Sequence, residues 1–66
     1  MLEGQYIGVV IPARNEEHHI GTVLETLPEF IDMAVVIDDG STDKTTQRAN
    51  SIQTSFEKII LRTNGI

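Results

Sequence analysis

Three short apolar runs punctuate the chain: Tyr6-Ile7-Gly8-Val9-Val10-Ile11, Met33-Ala34-Val35-Val36-Ile37 and Ile59-Ile60-Leu61. Each is rich in β-branched residues and nearly continuous rather than alternating in polarity, the pattern of strands covered on both faces in a parallel sheet. Between the first two runs, Ile20, Val23, Leu24 and Leu27 recur at i, i+3, i+4 and i+7 and mark one apolar helix face, with Pro28 placed to stop the helix. Between the second and third, Ala49, Ile52 and Phe56 continue a more polar helical stripe that Thr45 begins with its methyl group, and Ser41 or Thr42 is placed to cap it. The order β-α-β-α-β with short connections predicts an α/β fold: a three-stranded parallel sheet of order 3-2-1 with two helices on right-handed crossovers.

Length qualifies that picture. A chain of 66 residues makes one domain at most, and at this size only about 60% of the unfolded chain's surface is buried on folding. Three parallel strands are few for a free-standing sheet, and the chain stops at Thr63-Asn64-Gly65-Ile66, just past the third strand. The expectation is an N-terminal fragment, residues 1–66, of a larger α/β domain; the alternative is a complete small protein stabilised by oligomerisation.

Composition narrows the function classes. There is no cysteine, which leaves neither a disulfide framework nor a thiolate zinc site. Ten acidic against five basic residues give a net charge of −5. With those basic residues scattered, the chain lacks the cationic stripe that nucleic acid requires, and contact of this segment with a membrane surface is disfavoured for the same reason. No apolar run approaches the roughly 20 residues of a membrane span, and Met1-Leu2-Glu3-Gly4-Gln5 lacks the features of a secretory signal, so a cytoplasmic location is expected.

The candidate chemistry lies just past the first two apolar runs, because open α/β sheets bind ligands in the crevice at strand C-termini. After the first run comes Pro12-Ala13-Arg14-Asn15-Glu16-Glu17, which contains no glycine and so excludes the G-x-G-x-x-G pyrophosphate loop. Pro12 gives a rigid exit from the sheet. Asn15 or Glu16 is placed to cap the first helix, with acidic residues in its first turn opposing the positive end of the dipole. Arg14 puts a cation outside a strand end, to meet a phosphate or a planar base, or simply to be solvated. After the second run, Asp38 and Asp39 are adjacent and in extended backbone point to opposite sides. One is expected to accept from neighbouring loops, and the other to face the crevice and accept N–H or O–H donors such as a nucleoside carries. Gly40 permits the sharp turn that follows.

Other chemistries fit poorly. A calcium loop started at Asp38 wants a carboxylate at its twelfth position, where Ala49 stands. His18 and His19 are adjacent and diverge on a helix, which spoils them as paired metal ligands. No Ser-His-Asp or Cys-His arrangement supplies a nucleophile. A response-regulator receiver also carries an acidic pair at a strand end, but after its first strand, with the phosphorylated aspartate after the third, where this chain has Arg62-Thr63-Asn64.

Taken together, Val9-Val10-Ile11-Pro12-Ala13-Arg14-Asn15-Glu16-Glu17, the stretch Ile20 to Leu27, and Val35-Val36-Ile37-Asp38-Asp39-Gly40-Ser41-Thr42-Asp43-Lys44-Thr45 closely resemble the start of the family 2 inverting glycosyltransferases. That family includes the dolichyl-phosphate mannose and polyprenyl-phosphate glucose synthases. The resemblance implies the first βαβαβ part of a GT-A nucleotide-sugar-binding domain, in an enzyme that moves a sugar from a nucleotide-sugar to an acceptor such as a polyprenyl phosphate or glycan. It implies that Pro12 and Glu16 line the nucleotide site, that Asp39 hydrogen-bonds the base, and that Asp38 is the neighbouring acid of more variable role. Arg14 stands where the family often has an aromatic residue against the base, and a guanidinium can stack on a π face too. The family's metal-binding Asp-x-Asp motif and its catalytic base come later than these residues. Mg²⁺ or Mn²⁺ is thus implied for the complete enzyme, for which the cytoplasmic membrane face is a candidate location, while this chain alone should be inactive. A non-catalytic nucleotide-binding or assembly module is the alternative. The first strand, Tyr6 to Ile11, lacks charged residues and is expected to support homo-oligomer formation through its edge or through the sheet face left uncovered.

Overall fold

The computed structural model of the protein describes residues 1–63; Asn64, Gly65 and Ile66, part of the expected chain ending, lie outside that range. Strand β1 runs Gly8–Ala13, helix α1 Ile20–Glu25, strand β2 Met33–Asp39, helix α2 Thr45–Ser51 and strand β3 Glu57–Thr63. The strands form one parallel sheet with β2 in the centre, the predicted order.

The pairing register sorts the side chains into two faces. Val9, Ile11 and Ala13 lie level with Ala34, Val36 and Asp38, and these with Lys58, Ile60 and Arg62. This face meets the helices: Ala13, Ile20, Leu24, Ala34, Val36 and Ala49 form the buried core, with Val9, Ile11, Leu27, Ile52, Phe56 and Ile60 packed around it. Full burial of a side chain such as Leu24 or Val36 contributes about 2 kcal/mol. Lys58 escapes the apolar face by extending to the Ile52 carbonyl at the end of α2, where its Nζ donates a hydrogen bond.

The other face is open, against the expectation of strands covered on both sides. Val10 is 65% exposed and Leu61 50%, and Ile59 is exposed beside them. A right-handed crossover repeated in the same direction, from β1 to β2 to β3, carries each helix to the same side of the sheet. The continuous apolar runs therefore reflect a sheet with apolar residues on both faces and helices on only one.

Element boundaries also differ from those read in the sequence. Strand β1 begins after Tyr6 and Ile7 and contains Pro12, which is tolerated because β1 is an edge strand among the described residues. Ile7 is instead clipped to Asp32, whose carboxylate accepts the Ile7 amide at 2.8 Å and the terminal ammonium of Met1 at 2.8 Å. Strand β3 extends two residues further each way than the apolar run Ile59–Leu61. Helix α1 ends before Leu27, and its Val23 is exposed, so only Ile20 and Leu24 of the stripe are buried within the helix. Helix α2 likewise stops at Ser51, and Ile52 and Phe56 reach the core from the extended connection that follows. A Cβ at Gly21 would stand 3.2 Å from Ile52 Cδ1, the far end of a side chain in the connection after α2. No helix of the described residues is long and apolar enough to cross a membrane.

Candidate functional site

Two loops leave the C-terminal end of the sheet, one after β1 and one after β2, and they are hydrogen-bonded to each other along their length. The successive amides of Asn15, Glu16 and Glu17 donate to Ser41 Oγ at 2.9 Å, Thr45 Oγ1 at 2.8 Å and Asp43 Oδ2 at 3.2 Å. In return, Thr42 N donates to Asn15 Oδ1 at 2.9 Å, and Lys44 N to Glu17 Oε1 at 3.4 Å. Asn15 holds a left-handed backbone, φ 52°, a conformation that asparagine adopts more readily than most residues. Gly40, at φ 71°, supplies the corresponding turn in the second loop.

These bonds replace the caps predicted for both helices. Asn15 spends its side chain on the second loop, and α1 starts only at Ile20, behind His19, with no side-chain cap. At α2, Ser41 and Thr42 bond the first loop, and Asp43 takes over near the helix start by accepting from the Thr45 amide and hydroxyl. The Thr45 hydroxyl bond, with the amides of Glu17 and Thr45, holds the Asp43 carboxyl below its ordinary pKa despite some desolvation.

Asp38 and Asp39 diverge as extended backbone requires. Asp38 turns to the helix side and is fully buried. It accepts from the Ser41 amide at 3.1 Å, from the Thr46 hydroxyl and from Arg62 Nη1 at 3.4 Å. Burial by itself pushes this carboxyl up, but the Ser41 and Thr46 donors and the Arg62 charge outweigh it and hold the pKa below the ordinary value. Arg62 also donates to the Ser41 carbonyl at 2.7 Å, so β3 braces the turn after β2. Asp39 turns the other way and is exposed, and Thr63 Oγ1 donates to its Oδ1 at 2.8 Å.

On that side an open crevice of about 480 Å³ is lined by Pro12, Ala13, Arg14, Glu16, Ile37, Asp39 and Thr63. Of the five residues expected at a nucleotide site, the fold brings Pro12, Arg14, Glu16 and Asp39 together around this space. Asp38 is not among its lining residues; its carboxylate is occupied within the protein. Thr63 and Ile37 were not singled out by motif. The strand register reveals both, because Thr63 lies level with Asp39, and Ile37 with Pro12. Glu16 also stands 3.5 Å from His19 Nδ1. Among the described residues no group of three histidine or carboxylate side chains is arranged to hold a metal ion.

Comparison with known proteins agrees with this architecture. Residues 8–66 match the sequence profile of glycosyl transferase family 2. The chain is 44% identical over 50 residues to glucosyl-3-phosphoglycerate synthase of Mycolicibacterium smegmatis, covering 70% of this chain and 16% of that protein. It is 37% identical over 60 residues to 4,4'-diaponeurosporenoate glycosyltransferase of Staphylococcus aureus, covering 86% of this chain and 16% of the relative. The crystal structure of M. tuberculosis glucosyl-3-phosphoglycerate synthase superposes with a TM-score of 0.65 at 34% identity, over 86% of this chain and 22% of that one. The chain thus spans about a sixth of the length of these curated relatives. With the profile covering nearly the whole chain and the sheet matching a solved relative, the chain belongs to glycosyl transferase family 2.

Proposed function

We propose that this chain forms the nucleoside-holding part of a glycosyltransferase that moves a sugar from a nucleotide-sugar to an acceptor such as a polyprenyl phosphate or glycan. The observation that carries this reading is the crevice at the strand C-termini, where Asp39, Arg14 and Glu16 converge on a rigid floor that includes Pro12 and Ile37. Asp39 supplies a carboxylate acceptor for the N–H edge of a base or for ribose hydroxyls. Arg14 supplies a planar cation that stacks on a base or pairs with phosphate. The relatives add support of a different kind. One is named for a glucosylated phosphoglycerate and the other for glycosylation of diaponeurosporenoate, so the segment they share with this chain is better suited to the donor than to such unlike acceptors.

The residues in hand do not fit a metal site. Asp38 has its oxygens committed to Ser41, Thr46 and Arg62, and among the described residues Asp39 belongs to no group of three histidine or carboxylate side chains that could hold an ion. In the proposal, Mg²⁺ or Mn²⁺ and the base that deprotonates the acceptor belong to other parts of the complete enzyme. This chain binds and orients the nucleoside and does not itself catalyse transfer. A cytoplasmic location, at the membrane face for a lipid acceptor, belongs to the same proposal.

The test is calorimetric titration of UDP and GDP into the natural full-length protein. Asp39→Ala should weaken binding about tenfold or more, the effect of a hydrogen bond to a charged group. Unchanged affinity in that variant would remove Asp39 from the site, and binding of neither nucleotide by the unsubstituted protein would overturn the reading of the crevice.

A further inference from the structure

We propose that Thr63 is a positioning residue for Asp39, and that it sets which carboxylate oxygen meets the ligand. The inference rests on the nucleoside reading of the crevice and adds to it a residue from the third strand. A carboxylate at an exposed strand end is free to rotate, and ordering it on binding costs affinity. Here that freedom is restricted. Thr63 is the register partner of Asp39 across the β2–β3 ladder, and both lie on the open side of the sheet and line the crevice. The Thr63 hydroxyl donates to Asp39 Oδ1 at 2.8 Å, and the Thr63 carbonyl accepts the Gly40 amide at 3.1 Å, fixing the backbone just beyond the carboxylate. Among the described residues no other side chain donates to Asp39. With Oδ1 engaged, Oδ2 is the oxygen left for an N–H or O–H donor of the ligand. A methyl group in place of the hydroxyl would leave the strand shape intact and release the rotation.

A double-mutant cycle in the full-length protein tests this, with UDP and GDP as the calorimetric probes. Thr63→Val should weaken whichever nucleotide binds by about fivefold, the scale of one net hydrogen bond. Thr63→Ser, which keeps the hydroxyl, should restore affinity to within about twofold. In the Asp39→Ala background, Thr63→Val should change nothing further, because the residue acts through the carboxylate. A Thr63→Val protein that binds like the unsubstituted one, while Asp39→Ala still loses affinity, overturns the positioning role and leaves the nucleoside reading standing. An equal loss from Thr63→Val with and without Asp39 also overturns it, since Thr63 would then act independently. Failure of the unsubstituted protein to bind either nucleotide overturns both readings together.

Discussion

Asp38 and Asp39 are neighbours in the chain with opposite fates, one enclosed by Ser41, Thr46 and Arg62 and the other open to the crevice. Replacing the enclosed carboxylate strands three donors, and Asp38→Ala should lower stability by about 3 kcal/mol in urea denaturation. Its pH dependence follows from a folded-state pKa held below the ordinary 3.8. The stabilisation is fully present above that value and is lost as pH falls through the folded-state value. Asp32 and Asp43 shift in the same direction, so Asp38→Asn should flatten only part of the acid limb of the denaturation midpoint against pH. Asn15 separates backbone from side-chain effects. Asn15→Gly keeps the left-handed turn and loses only the bonds that Oδ1 accepts from the Thr42 amide and hydroxyl, whereas Asn15→Ala loses those and the turn, and thermal melts should rank Ala about 1 kcal/mol below Gly. The divergence of the two aspartates was legible from the sequence, because strand alternation alone requires it. Which one faced the crevice was not legible without the family resemblance, since it depends on the side of the sheet to which the helices cross.

Strands were read more accurately than helices, and the reason is physical. The core of Met33–Ile37 is inescapably apolar and stayed central, β3 kept its apolar run and grew at both ends, and β1 kept Val9, Val10 and Ile11 but not Tyr6 and Ile7. Both helices came out shorter than their stripes, because Leu27, Ile52 and Phe56 pack against the core from connecting segments, where periodicity has no hold on the backbone. The cap residues were misassigned for a related reason. Ser41, Thr42 and Asn15 have the right side chains to bond their own helices, but the opposite loop offers them partners that sequence order conceals. Gly21 offers a direct test of the packing of α1 against the connection after α2. Its Cβ would press on the flexible end of Ile52, which can yield, while alanine favours the helix by about 1 kcal/mol. Gly21→Ala should therefore raise stability by about 0.5 kcal/mol in urea denaturation.

Among the described residues no helix covers the apolar face that runs from Val10 in β1 to Ile59 and Leu61 in β3. Exposed apolar surface beside an unpaired strand edge invites association. The 66-residue polypeptide should sediment as a dimer or higher oligomer at micromolar concentration, and Val10→Lys, which puts a charge on both edge and face, should shift it toward monomer. A folded, unsubstituted monomer would show that water alone covers this face. The C-terminal end of the sheet is held by contacts of another kind. Every hydrogen bond between the two loops joins residues 26 to 29 apart in the chain, nearly the separation of the β1–β2 pairs themselves. Loop closure over such separations must precede any gain from these contacts. The crevice walls therefore share the closure cost of the β1–β2 pairing and add no separate one. A ligand held between the two loops should therefore add hydrogen-exchange protection at the Asn15, Glu16 and Glu17 amides.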